Sequence, residues 1–133
     1  MSSEISFRFR PVWVALGWAL VLAVVYLSLA RDVPELAVPH GDKYGHVVAY
    51  ATLMLWFSQL HAARHARAWL ALAFVALGVG LEFVQGLTDY RSFELADMVA
   101  DGIGVACGWL AAPPRLPNFL LWADARVRAG PPT

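Results

Sequence analysis

Four long apolar runs constrain this chain more than any other feature. They cover Val12–Leu29, roughly Tyr44–Leu60, roughly Ala68–Leu87 and roughly Phe93–Ala112. A helix that crosses a bilayer needs about 20 mostly apolar residues, with a range of about 17–25, so all four runs are candidates. Composition agrees: 59% of the residues are hydrophobic and 15% charged, with mean hydropathy +0.56, where soluble domains are about 45–50% apolar and about 25% charged. The expected fold class is all-α, a polytopic membrane protein built as a four-transmembrane-helix bundle. The second run is the least secure, being short and carrying His46 and Tyr50. Short second and third connections make neighbouring helices antiparallel. The chain divides into an amino-terminal arm (1–11), a membrane domain (12–112) and a tail (113–133).

Orientation follows from Lys and Arg in the connections. Arg8, Arg10, Arg64, Arg67, Arg115, Arg126 and Arg128 fall on one side, and Arg31, Lys43 and Arg91 on the other. Both termini are therefore expected to be cytoplasmic, with 31–43 and 88–92 outside. Of the acids, only Glu4 and Asp124 lie inward. The first run has a second reading as a signal peptide, with Ser28-Leu29-Ala30 as a small-residue cleavage site, but a signal-peptide apolar core is about 7–15 residues. In the tail, Phe119, Leu120, Ala123 and Val127 share a helical face, as in a short interfacial helix on the cytoplasmic leaflet. Ala100, Gly104 and Gly108 recur every four residues, a small-residue stripe that lets another helix approach closely, either within the bundle or across a homodimer.

The ionisable residues near or inside the runs are Asp42, Lys43, His46, Glu82, Asp97 and Asp101. All are expected at the same, outward end. Charge in hydrocarbon is rare and marks a functional-site hypothesis by default. Asp42, His46 and Tyr50 follow i, i+4, i+8 and share one helix face. An aspartate beside an imidazole fixes its tautomer; Asp42 equally suits a helix cap, and Lys43 equally suits snorkelling to headgroups. Glu82 and Gln85 lie one turn apart, either as part of a site or as a polar clasp between helices. Arg91 can hold a phosphate or carboxylate bidentately, or pair with Glu94 or Asp89. Asp97 and Asp101, at i, i+4, repel one another and call for a cation, a shared proton or water between them.

The ordered set Asp42-Lys43-x-x-His46-x-x-x-Tyr50, Glu82-x-x-Gln85 and Arg91-x-x-x-x-x-Asp97-x-x-x-Asp101-x-x-Gly104 resembles the VanZ-like membrane proteins, over residues 42–108. One departure is Asp101, where the family pattern usually has asparagine. The family's founding member is associated with low-level resistance to teicoplanin, a glycopeptide antibiotic. The resemblance implies an envelope-related protein of the bacterial cytoplasmic (inner) membrane, with the helical bundle that hydropathy already suggests.

Three function classes follow. The first is an accessory or binding protein recognising an envelope lipid or lipid-linked glycan, the favoured reading. The second is a membrane enzyme on such a substrate, with His46, Glu82 and Asp97 as catalytic candidates. The third is a proton- or ion-coupled carrier, which lacks polar stations at the inner end of any run. Zero formal net charge leaves no basic patch of the kind nucleic acid requires. The lone Cys107 forms no intramolecular disulfide. One outward His is too few for a usual zinc site, so no metal or cofactor is expected. In its place the acids should pair with Arg91 or Lys43.

Overall fold

The computed structural model describes residues 5–34 and 36–130, so Glu4 lies outside the described residues. Five helices follow one another: α1 (Arg10–Leu29), α2 (Gly41–Leu60), α3 (Arg64–Gly86), α4 (Leu95–Ala111) and α5 (Phe119–Ala129). The all-α expectation holds. The four-span bundle does not. Two helices, α1 and α3, are long and apolar enough to cross a membrane. The reason lies at the ends of the other two. α2 spends its first turns on Gly41-Asp42-Lys43-Tyr44-Gly45-His46. α4 has 17 residues, the lower limit of the spanning range, and it carries Asp97 and Asp101 in its first two turns.

α2 is the central helix. Its Tyr50, Leu53, Met54 and Phe57 form the core with Val21 of α1, Phe74 of α3 and Val105 of α4. The tightest seam is between α2 and α4, which run parallel, both starting at the Lys43–Asp97 end. Glycine makes that seam. A Cβ at Gly104 would lie 2.5 Å from the Val47 carbonyl oxygen, and one at Gly108 would lie 2.5 Å from that of Ala51. Gly104 and Gly108 of the small-residue stripe thus face α2 within the bundle. α1 is peripheral, with only Gly17 and Val21 buried.

Both ends of α1 are tied down by side chains from elsewhere in the chain. At its start, the Asp124 carboxylate of α5 accepts from the backbone N–H groups of Arg8 (2.9 Å) and Phe9 (3.0 Å) and from the Trp13 indole (2.7 Å). Burial of Asp124 works against its charge, but the Trp13, Arg8 and Phe9 donors hold its carboxyl below the usual range. α5 is a docked helix in this fold. Its Leu120 packs on Phe7 and Leu60, and Asn118 caps it through the Leu121 N–H at 2.9 Å while donating to the Gln59 carbonyl. The expected apolar face is therefore not the buried one: Leu120 and Asp124 face the bundle, while Val127 is exposed.

At the far end of α1, four terminal carbonyls would be unsatisfied. Gln85 donates to Ser28 O at 2.7 Å, Tyr90 to Leu29 O at 2.7 Å, and Arg91 to Ala30 O at 3.1 Å and Leu27 O at 3.4 Å. The Arg91 cation also complements the negative end of the helix dipole.

Candidate functional site

The polar cluster is assembled where α2 and α4 begin. α2 enters at His40, whose backbone is left-handed (φ 58°), followed by Gly41, where a Cβ would lie 2.2 Å from the Leu36 carbonyl oxygen. Only glycine fits that approach. It places Asp42 in the first turn, where a carboxylate complements the helix dipole, but the N-cap is His40 and no side chain caps the helix. Asp42 instead accepts from Lys43.

Lys43 is the hub. Its Nζ lies 2.6 Å from Asp42 Oδ2, 2.5 Å from Glu94 Oε2 and 2.5 Å from Asp97 Oδ1. The contacts to Asp42 and Glu94 are hydrogen bonds. That to Asp97 has ion-pair distance without hydrogen-bond direction. Oxygens of the same three carboxylates lie within 4.8 Å of one another, and the ammonium fills the position a cation would take among them. Hydrogen bonding to Lys43 is the main reason that the Asp42 and Glu94 carboxyls lie below their ordinary values. Partial burial opposes the charge of Lys43, but its three carboxylate partners raise its pKa well above that of a free lysine.

His46 lies one turn deeper. Its Nδ1 is 2.7 Å from Asp101 Oδ1, and its Nε2 is 3.6 Å from Asp97 Oδ2. The imidazole therefore bridges the two α4 carboxylates, and their i, i+4 repulsion is met by Lys43 on Asp97 and His46 on both. The aspartate that orients His46 is Asp101, from across the α2–α4 seam, rather than Asp42, its neighbour along α2. Asp101 reaches this position because Gly78 of α3 leaves room: a Cβ there would stand 2.5 Å from Asp101 Oδ2.

The remaining candidates divide. Glu82 accepts the backbone N–H of Glu94 at 2.5 Å, holding the start of α4 against α3 and so setting the position of Asp97. Gln85 and Arg91 turn away from the acids and bind α1 carbonyls. The expected pairing of the acids with Lys43 or Arg91 is thus made by Lys43. Arg91, which the sequence also suited to Glu94 or Asp89, pairs with neither; Asp89 lies 3.7 Å from Arg31. Glu94 joins the cluster although sequence reasoning gave it only a minor place. Its signal was its position directly before α4, three residues ahead of Asp97.

A cavity of about 230 Å³ opens beside this cluster, between α1, α2 and the connecting residues Val33, Pro34 and Leu36. Asp42, His46 and Tyr50 line it from one face of α2, as their i, i+4, i+8 spacing requires. Val24, Leu27, Val33 and Leu36 supply an apolar wall, and Arg91 stands at its edge. The arrangement offers a hydrogen-bonding imidazole and a carboxylate to a polar group whose remainder is apolar.

No protein-family model matches the sequence. An uncharacterized protein of the fission yeast Schizosaccharomyces pombe is 32% identical over 113 residues, a stretch covering 83% of this chain and 68% of the yeast protein. This chain belongs to the same family as that yeast protein. No solved structure matches it. Membership reaches a eukaryote, so the bacterial setting implied by the sequence resemblance finds no support in this relative.

Proposed function

We propose that this chain is a VanZ-like membrane protein that binds an amphiphile in the cavity at His46, in a binding or accessory role. The observation that carries the reading is His46, held from behind by Asp101 and lining, beside Asp42, a cavity whose opposite wall is the apolar Val24, Leu27, Val33 and Leu36. A ligand with a polar head and an apolar body meets both kinds of surface there. Membrane placement is supported by what the bundle leaves uncovered. α1 exposes Trp18, Leu22 and Tyr26 at 58%, 67% and 71%, and α3 exposes Trp69, Leu72 and Phe83 at 69%, 58% and 60%. Soluble monomers rarely expose apolar patches beyond a few hundred Å², and lipid removes the cost. In this reading the uncovered faces of α1 and α3 meet lipid.

The test is lipid analysis of protein extracted in mild detergent. Wild type should carry a bound amphiphile at near-stoichiometric level. Ala49→Phe, which fills the cavity, should lose it while keeping its helical content. Equal lipid content in the two proteins refutes the reading. An enzyme is the second reading, favoured by the 2.7 Å contact that orients His46 through Asp101. An imidazole so held is suited to general acid–base work. Chemical conversion of the bound amphiphile with time, abolished in His46→Gln, would place that reading first.

A further inference from the structure

All six tryptophans of the chain lie in the half of the molecule nearer α5: Trp13 and Trp18 in the first half of α1, Trp56 late in α2, Trp69 early in α3, Trp109 late in α4 and Trp122 in α5. Among the described residues, the exposed arginines of that end are Arg8, Arg64, Arg115 and Arg126. Among the described residues the only acid there is Asp124, which is buried and fully engaged with the start of α1. The opposite end carries the other described acids, four of them in contact with Lys43 or His46. One end therefore combines surplus exposed cations with every indole of the chain.

α5 concentrates the same chemistry on one face. With Leu120 and Asp124 turned into the bundle, Phe119, Trp122 and Arg126 fall on the opposite side, at i, i+3 and i+7. The Arg126 guanidinium lies 4.7 Å from the Trp122 ring centroid, and Trp122 is 59% exposed. Indoles favour the headgroup layer, where one part of the ring is apolar and another wet. Basic amphipathic helices bind anionic lipid through buried apolar area plus charge.

We infer that this end of the molecule is an anionic-phospholipid-binding face, on which Arg64, Arg115 and Arg126 engage lipid phosphates while Trp69 and Trp122 sit in the headgroup layer. The inference rests on the membrane reading above. The acceptor is the lipid surface itself. A soluble polyanion such as nucleic acid would satisfy the arginines but leave the indoles in water.

The experiment uses the full chain in phosphatidylcholine nanodiscs with or without phosphatidylglycerol. Emission from Trp122 is isolated as the difference between wild type and Trp122→Phe. Brominated phosphatidylglycerol should quench Trp122 more than brominated phosphatidylcholine at equal mole fraction. The excess should fall in the Arg115→Gln/Arg126→Gln double variant, by roughly fivefold in local lipid enrichment per arginine removed. Equal quenching by the two lipids overturns the inference, as does quenching of Trp122 by aqueous iodide alone, and in both cases the chain still resides in the disc. A chain that stays monodisperse in detergent-free buffer overturns the membrane reading. If that soluble chain still shows Trp122 quenching by phosphatidylglycerol vesicles, the face survives as a peripheral one.

Discussion

Gly104→Ala tests the seam on which the site is built. A methyl group at Gly104 would stand 2.5 Å from the Val47 carbonyl oxygen, 3.0 Å from Tyr50 Cβ and 3.1 Å from the Ala51 nitrogen. Two of these atoms are backbone and cannot rotate away. Non-bonded carbons rest at about 3.5 Å or more, so α2 and α4 must part by roughly 1 Å. Overpacking of this kind costs about 1–3 kcal/mol. Alanine in place of glycine also returns about 1 kcal/mol of helix propensity, which would blur the result. Gly102 removes that ambiguity. It lies in the same helix with nothing within 4 Å of a built Cβ, so Gly102→Ala gains the propensity without meeting the seam. The difference between the two variants isolates the packing cost, about 1–3 kcal/mol, which corresponds to at least a few degrees in Tm for a domain of this size. Thermal unfolding of both variants in one detergent, followed by far-UV circular dichroism, measures it. Gly102→Ala should melt above wild type and Gly104→Ala below Gly102→Ala. Asp101 lies one turn before Gly104, so the same shift should lengthen the 2.7 Å His46–Asp101 contact and weaken amphiphile retention. If Gly104→Ala melts as high as Gly102→Ala, the close α2–α4 approach is wrong, and so is the His46–Asp101 pairing that depends on it.

Lys43→Met should destabilise most at neutral pH, because it leaves the carboxylates of Asp42, Glu94 and Asp97 facing one another without their shared cation. Asp42 and Glu94 are held below their ordinary values of 3.8 and 4.5 by Lys43; a depressed carboxyl stabilises the fold above its unfolded pKa and loses that contribution as pH falls through the folded one. The Tm gap between wild type and Lys43→Met should therefore be widest above these values and close as the acids protonate below them; a gap independent of pH would rule out the lysine hub. Asp124→Ala should release α5 from α1, seen as faster hydrogen exchange at the Arg8 and Phe9 amides, with exchange in the middle of α2 unchanged. Protection at Arg8 and Phe9 equal to wild type would mean that Asp124 does not hold them.

Much of the fold was legible in residue pattern. Apolar runs announced four of the five helices, and the Phe119–Val127 pattern announced the fifth, because helix formation and apolar length are local properties. The i, i+4, i+8 spacing of Asp42, His46 and Tyr50 placed them on one face, and that face lines the cavity. Spacing along a helix could not say which carboxylate from another helix would meet His46. That choice was made by Gly104 and Gly78, whose missing side chains let α4 come close enough for Asp101 to reach the imidazole. Nor could it separate Gln85 and Arg91 from the acid cluster, since both are equally suited to a ligand and to a helix end. The terminal carbonyls of α1 had to be satisfied, and their position, known only in three dimensions, drew both side chains away. Asp124 reads in sequence as one more surface acid of a polar tail. Only docking of α5 makes it the cap of α1. The span count failed for a related reason. Hydropathy sums over a run, whereas crossing a bilayer depends on where helix and charge begin, and α2 and α4 put charge into their first turns to build the site. Local periodicity is enough to place the helices and to show which of their ends is polar. Which polar groups meet depends on the distance at which glycine allows two helices to pack.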